Sequence, residues 1–93
     1  MKFFDWDEEK NRQFKKERSI SFEDVLIAIE GERILDIIDH PNKKRYPKQK
    51  IYVVVINGYA YLVPFVEDDE KYFLKTIIPS RKMTKRHLKG GGK

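Results

Sequence analysis

The sequence predicts a single α+β domain: two N-terminal helices, a four-stranded antiparallel sheet and a short C-terminal helix. Three observations predict it. Apolar residues recur at helical spacing across Phe22, Val25, Leu26 and Ile29. From Ile34 to Ile78 the pattern changes to short β-branched and aromatic runs separated by turn residues. One of those turns is Asn57-Gly58, the strongest two-residue hairpin signal a sequence can carry. A chain of 93 residues has room for one core only. The domain is expected over residues 1–89, and the Gly-Gly-Gly-Lys end, 90–93, reads as a flexible tail.

The elements follow in order. Asp7 can cap a first helix, with Glu8 and Glu9 in the turn where acids suit the dipole. That helix is expected to reach about Arg18, on a thin apolar face anchored by Phe14 and Trp6. Ser21-Phe22-Glu23-Asp24 resembles a capping box with Asp24 in place of the usual Glu, and the second helix closes at Gly31. Ile34 to Ile38 is a short strand, followed by a polar loop, 39–49, with Pro41 and Pro47. Ile51–Ile56 and Tyr59–Val66 pair across Asn57-Gly58. Pro64 inside the second of these implies a bulge or an edge position. The acidic run 67–70 is a solvated turn, and Tyr72–Ile78 is the fourth strand. Ser80 can cap a last helix from Arg81 to about Leu88. One sheet face should receive the second helix. The other needs a cover, either the last helix or a partner.

Composition excludes several classes. Cysteine is absent, which removes disulfide scaffolds, thiol catalysis and cysteine zinc sites. No apolar run approaches the roughly 20 residues that span a bilayer. The opening Met1-Lys2-Phe3-Phe4-Asp5 turns acidic at once and does not read as a signal peptide, so a cytoplasmic location is expected. His40 and His87 lie far apart without an acidic ligand cluster, so no metal site is expected. No glycine-rich phosphate loop is present, and no cofactor is expected. The serines fit helix caps better than a catalytic triad.

The formal charge of +5 is unevenly spread. Basic residues concentrate in three blocks, 12–18, 43–50 and 81–93, while residues 19–40 are acidic. Basic blocks that meet in space make a phosphate-binding surface. RNA cleavage asks little of such a surface, because RNA supplies its own 2′-hydroxyl nucleophile. The protein adds proton carriers and cations. Residues of those types stand near the sheet: Lys50, Tyr52, Tyr61, Lys75 and Arg81. Lys75 is the most suggestive. It lies mid-strand on the face expected for Phe73 and Ile77, where a lysine must snorkel or serve a ligand. Arg81 opens the last helix, whose first N–H groups also attract anions.

Three segments carry a family resemblance. Phe4-Asp5-Trp6-Asp7 with Lys10 and Asn11 resembles the opening of the BrnT family of type II toxins. Ile20-Ser21-Phe22-Glu23 resembles the start of that family's second helix. The stretch from Lys75 through Ile77-Ile78-Pro79-Ser80-Arg81 to Arg86 resembles its closing strand and helix. The similarity spans roughly residues 3–86. It departs from the family where Glu17-Arg18-Ser19 stands for Lys-His-Gly, and where Pro79, Ser80 and Met83 replace Ser, Ala and Ala. The resemblance implies a RelE-like fold and a metal-independent endoribonuclease that blocks translation. It also implies a BrnA-like antitoxin partner, through which alone the complex would reach DNA, and RNA bound free or on the ribosome. On this reading Arg81 and Lys75 hold the scissile phosphate, and Tyr61 or His87 carries protons. Arg18, Arg45, Lys50, Lys85 and Arg86, drawn from the three basic blocks, position the strand. Two rival expectations stand beside it: a non-catalytic RNA- or ribosome-binding module, and an inactive toxin relative acting through protein partners.

Overall fold

The computed structural model describes residues 2–89; the expected tail at 90–93 lies outside them. The fold is α+β, with three helices and a mixed sheet. Strand β1 (Phe3–Asp5) precedes helices α1 (Glu8–Arg18) and α2 (Phe22–Glu30). Strands β2 (Ile34–Asp39), β3 (Gln49–Ile56), β4 (Tyr59–Glu67), β5 (Lys71–Leu74) and β6 (Ile78–Pro79) follow. Helix α3 (Arg81–Thr84) continues into a wider π-helical turn, Lys85–Lys89. The sheet order is β1-β5-β4-β3-β2, with β6 also on β4. Among the described residues no helix is long and apolar enough to cross a membrane.

Two features correct the expected four antiparallel strands. The first is β1, which pairs parallel with β5. Three residues are too short to show a periodic pattern, and only tertiary contacts make them a strand. Phe4 stacks on Tyr72 at 5.0 Å. Lys71 pairs with Asp5 at 3.3 Å, and Lys2 pairs with Glu67. The second is a break in the expected last strand. Phe65 faces Leu74 and the Lys75 N–H donates to the Pro64 carbonyl at 2.8 Å. Beyond the break, Leu62 faces Ile78. Thr76 and Ile77 therefore oppose Val63 alone, which is a β-bulge. The bulge turns Ile77 into the core, at 1% exposure. Ile77 thus leaves the face on which Phe73 and Lys75 stand.

Pro64 explains where the bulge falls. In this register an ordinary residue at 64 would donate its N–H to the Lys75 carbonyl. Proline has none. The Lys75 carbonyl is instead satisfied by the Lys10 ammonium of α1 at 3.0 Å. The Ile77 carbonyl accepts from the Arg18 guanidinium at 3.4 Å. Helix α1 thus runs along the broken segment and supplies the donors the ladder lacks.

The capping and hairpin signals are realised. Asp7 Oδ1 accepts from the N–H groups of Glu9 and Lys10, and Ser21 and Asp24 form a reciprocal capping box. Asn57 and Gly58 have φ of 54° and 76°, the positive pair that a tight two-residue hairpin needs. Asp68 Oδ1 accepts from the N–H groups of Glu70 and Lys71 in the acidic turn, which holds its carboxyl below the usual range.

The inner sheet face packs on α2. Tyr52, Val54, Ile56, Val63, Phe65 and Leu74 meet Phe22, Val25 and Ala28 in one cluster. Phe22 is its hub, with Trp6 stacked at 5.6 Å and Phe14 tilted at 5.7 Å. Asn11 is the one fully buried polar side chain described there. Its Oδ1 accepts from the Phe22 N–H at 2.7 Å and its Nδ2 donates to Glu23 at 2.8 Å. This joins α1 to the first turn of α2. Truncation of Asn11 to Ala leaves the Phe22 N–H buried without an acceptor, so urea unfolding should show a loss of about 2–3 kcal/mol. The other Asn11 bond, from Nδ2 to the Glu23 carboxylate, is the main cause of a lowered Glu23 pKa. That stabilisation is present above the ordinary glutamate pKa, about 4.3, and is lost as pH falls through the lower folded value. Asn11→Ala should therefore lose less stability than the parent on acidification through this range.

Candidate nucleic-acid interface on the open half of the sheet

The outer face of the sheet, away from α2, divides in two. At one end α3 packs against β4. There Thr84 Oγ1 accepts from the Ala60 N–H at 2.9 Å, and Ala60 and Val53 are fully buried. The expected cover by the last helix is thus half a cover. The other end is open and forms a groove of about 420 Å³.

The floor of the groove is apolar: Ile51 from β3, Pro64 from β4 and Phe73 from β5. Strand register puts these three on one face, since Ile51 faces Pro64 and Val66 faces Phe73. One wall is Lys75 and Thr76, at the bulge, with Asp7 and Lys10 from the start of α1. The opposite wall is His40 and Gln49, where the loop leaves β2 and enters β3. Lys75 is exposed, and neither it nor Arg81 pairs with an acid among the described residues.

His40 is held in place. Its Nδ1 accepts from the Asn42 N–H at 3.0 Å, and its ring lies 4.5 Å from that of Tyr46. The neutral ring therefore carries its proton on Nε2, which has no partner among the described residues. The Arg45 guanidinium sits over Tyr46 at 5.6 Å. Arg45, Tyr46 and His40 form a stack that ends at the groove. This connects the basic loop to the site.

The remaining sequence-predicted residues lie elsewhere. Tyr61 faces Val54, and its half-buried ring packs on the core side, so the sheet separates it from Lys75. Tyr52 is also on the inner face, stacked on Phe65 at 4.1 Å, and burial pushes its phenol pKa up. Lys50 faces Phe65 on the inner side and lines a separate hollow with Lys2, Lys48 and the acids of 67–69. Arg18 lies over Phe14 and is engaged with the Ile77 carbonyl. Arg81 is exposed in the first turn of α3, while His87 is half-buried and Lys85 and Arg86 are exposed in the π turn. None of these four lines the groove.

Sequence reasoning missed Asp7, Lys10, His40, Gln49 and the floor residues as one site. The available signal was Pro64 opposite Lys75, since a missing donor beside a mid-strand lysine marks the place where the strand opens. No protein-family model, curated protein or solved structure matches the chain. The groove must therefore be judged by its own chemistry. It combines an aromatic floor, an unpaired ammonium and an imidazole N–H, which suits a nucleotide phosphate with its base.

The link from Pro64 to Lys10 can be measured by a double-mutant cycle. Lys10→Met should cost about 0.5–1.5 kcal/mol in the parent. It should cost clearly less when Pro64→Val has restored the ladder donor, and equal costs in both backgrounds would break the link.

Proposed function

We propose that the chain is the toxin of a BrnT-like type II toxin–antitoxin pair and acts in the cytoplasm as a metal-independent endoribonuclease that blocks translation. The observation that carries the reading is Lys75, free of any acid among the described residues, at the wall of an open groove whose apolar floor includes Phe73 and whose opposite wall holds His40. The order and spacing of the three BrnT-like segments support it. A small antitoxin protein neutralises it, and DNA is reached only through that partner.

In this reaction the RNA 2′-oxygen attacks the adjacent phosphorus and the 5′-oxygen leaves. The products are a cyclic phosphate end and a 5′-hydroxyl end. Negative charge builds on the non-bridging oxygens, and a fixed ammonium there lowers the barrier. Lys75 has that role. The free oxygen of Asp7 accepts the 2′-hydroxyl proton, water in the open groove protonates the leaving 5′-oxygen, and the His40 Nε2–H on the opposite wall donates to a neighbouring phosphate. Arg45 and Arg81 hold the flanking chain. Tyr61 and His87 do not line the groove, and this reading gives them no part in the step.

A second reading, RNA or ribosome binding without cleavage, is favoured by one observation. Both proton carriers of the groove are partly engaged, Asp7 as a helix cap and His40 through Nδ1. Expression of the chain alone, followed by growth and by mapping of RNA ends, separates the two. We expect growth arrest with new RNA ends. In a translating extract Lys75→Ala should slow cleavage about 10²-fold or more while the melting temperature stays within a degree or two of the parent. His40→Gln should slow it less. Retarded RNA with no new ends would select the binding reading, and undiminished cleavage by Lys75→Ala would remove the groove as the site.

A further inference from the structure

We propose that the open groove reads one unpaired nucleobase, stacked on Phe73 and recognised at its edge by the Gln49 side-chain amide. The inference rests on the RNA-cleaving reading and names what that site selects.

Phosphate binding alone does not explain the groove. Its floor, Ile51, Pro64 and Phe73, is apolar and lies beside cations; the Lys71 ammonium lies over the Phe73 ring at 5.8 Å, and a stacked base takes the face it leaves. Ammonium groups that only gripped a backbone would need no such floor. An aromatic ring flanked by cations is the arrangement that takes a single-stranded nucleotide, base on ring and phosphate on ammonium. A duplex hides its base faces and could not use Phe73. The volume of about 420 Å³ lies in the range of small-ligand sites, ~300–1,000 Å³.

Gln49 supplies selectivity. Its backbone is fixed on both sides, since its N–H donates to Tyr46 at 3.2 Å and its carbonyl accepts from His40 at 3.2 Å. Its side-chain amide has no partner among the described residues, yet it lines the groove. One amide offers a donor and an acceptor together, the pair needed to read a base edge. The Arg45–Tyr46 stack lies one step further along the same rim and gives the next nucleotide a planar cation.

The test uses the whole protein and fluorescence anisotropy with two labelled chains of equal length and charge: hexa-adenylate RNA and an abasic ribose-phosphate hexamer. The RNA should bind about tenfold more tightly or better. Phe73→Leu should bring the RNA down to the abasic affinity and leave the abasic affinity unchanged. Gln49→Glu, at the rim and clear of the core, should change the ranking among homopolymers of A, C, G and U. Equal affinity of RNA and abasic chain in the parent overturns base reading and leaves a phosphate-gripping ribonuclease standing. No binding of either, with RNA ends still produced in a translating extract, also overturns it, because the RNA then lies elsewhere on the protein. Absence of both binding and new ends would sink the inference and the ribonuclease reading together.

Discussion

One missing N–H organises the half of this protein that carries the open groove. Pro64 stands in a central strand, where a ladder donor is obligatory for any other residue. Its absence leaves the Lys75 carbonyl without a strand partner, and the next two residues bulge. The bulge reverses the parity of everything after it. Ile77 enters the core and Ile78 points out, at 43% exposure. Lys75 remains on the outer face with Phe73, at the point where the strand opens and α1 approaches. A lysine in an unbroken strand would be crowded by neighbours on three sides. Here it stands at a bulge with open space beside it, which suits a group that must meet a ligand.

Helix α1 serves both the fold and the site. On its buried side Asn11 and Phe14 hold it to α2, and Asn11 satisfies the Phe22 N–H at the start of that helix. Along the strand side, Lys10 and Arg18 satisfy the carbonyls that the bulge exposes. Without α1 the broken strand would carry two unsatisfied acceptors. Without the broken strand, α1 would have only a thin apolar face to hold it. The two irregularities stabilise each other. That dependence makes a weakly amphipathic, highly charged helix a fixed part of the structure rather than a fraying one.

Much of the fold was legible because its signals are local. Asp7, Ser21, Ser80 and Asn57-Gly58 each act within a few residues, and each does in the structure what its position predicts. What was not legible depends on partners far apart in the chain. β1 exists through Tyr72 and Lys71, nearly seventy residues away. The side to which Ile77 points is fixed by Pro64 on another strand. Counting by twos from Phe73 assigns Ile77 to the outer face, and one inserted residue reverses the answer. The same limit applies to the site. Residue type alone brought Tyr61 and Lys50 together with Lys75, but strand register puts both on the opposite face. His40 was weighed only as a metal ligand, and its place at the groove depends on a loop that no periodic pattern describes.

Among the described residues much of the first two basic blocks is engaged or faces acids, and this narrows what the charge means. The first is largely engaged: Arg12 pairs with Glu9, Lys15 with Glu23, and Arg18 with a carbonyl. Lys48 and Lys50 of the second line a hollow shared with Glu67, Asp68 and Asp69, where an incoming phosphate would meet carboxylates. Arg45, in the same block, leads through Tyr46 and His40 to the groove. Net charge draws a polyanion to the protein from any side. Retention needs cations without acidic partners, next to a surface that water solvates poorly. The outer face near Lys75 meets both conditions in one place. An RNA proposed for this face would be held less by the +5 total than by an apolar floor next to a lysine with no acidic partner among the described residues.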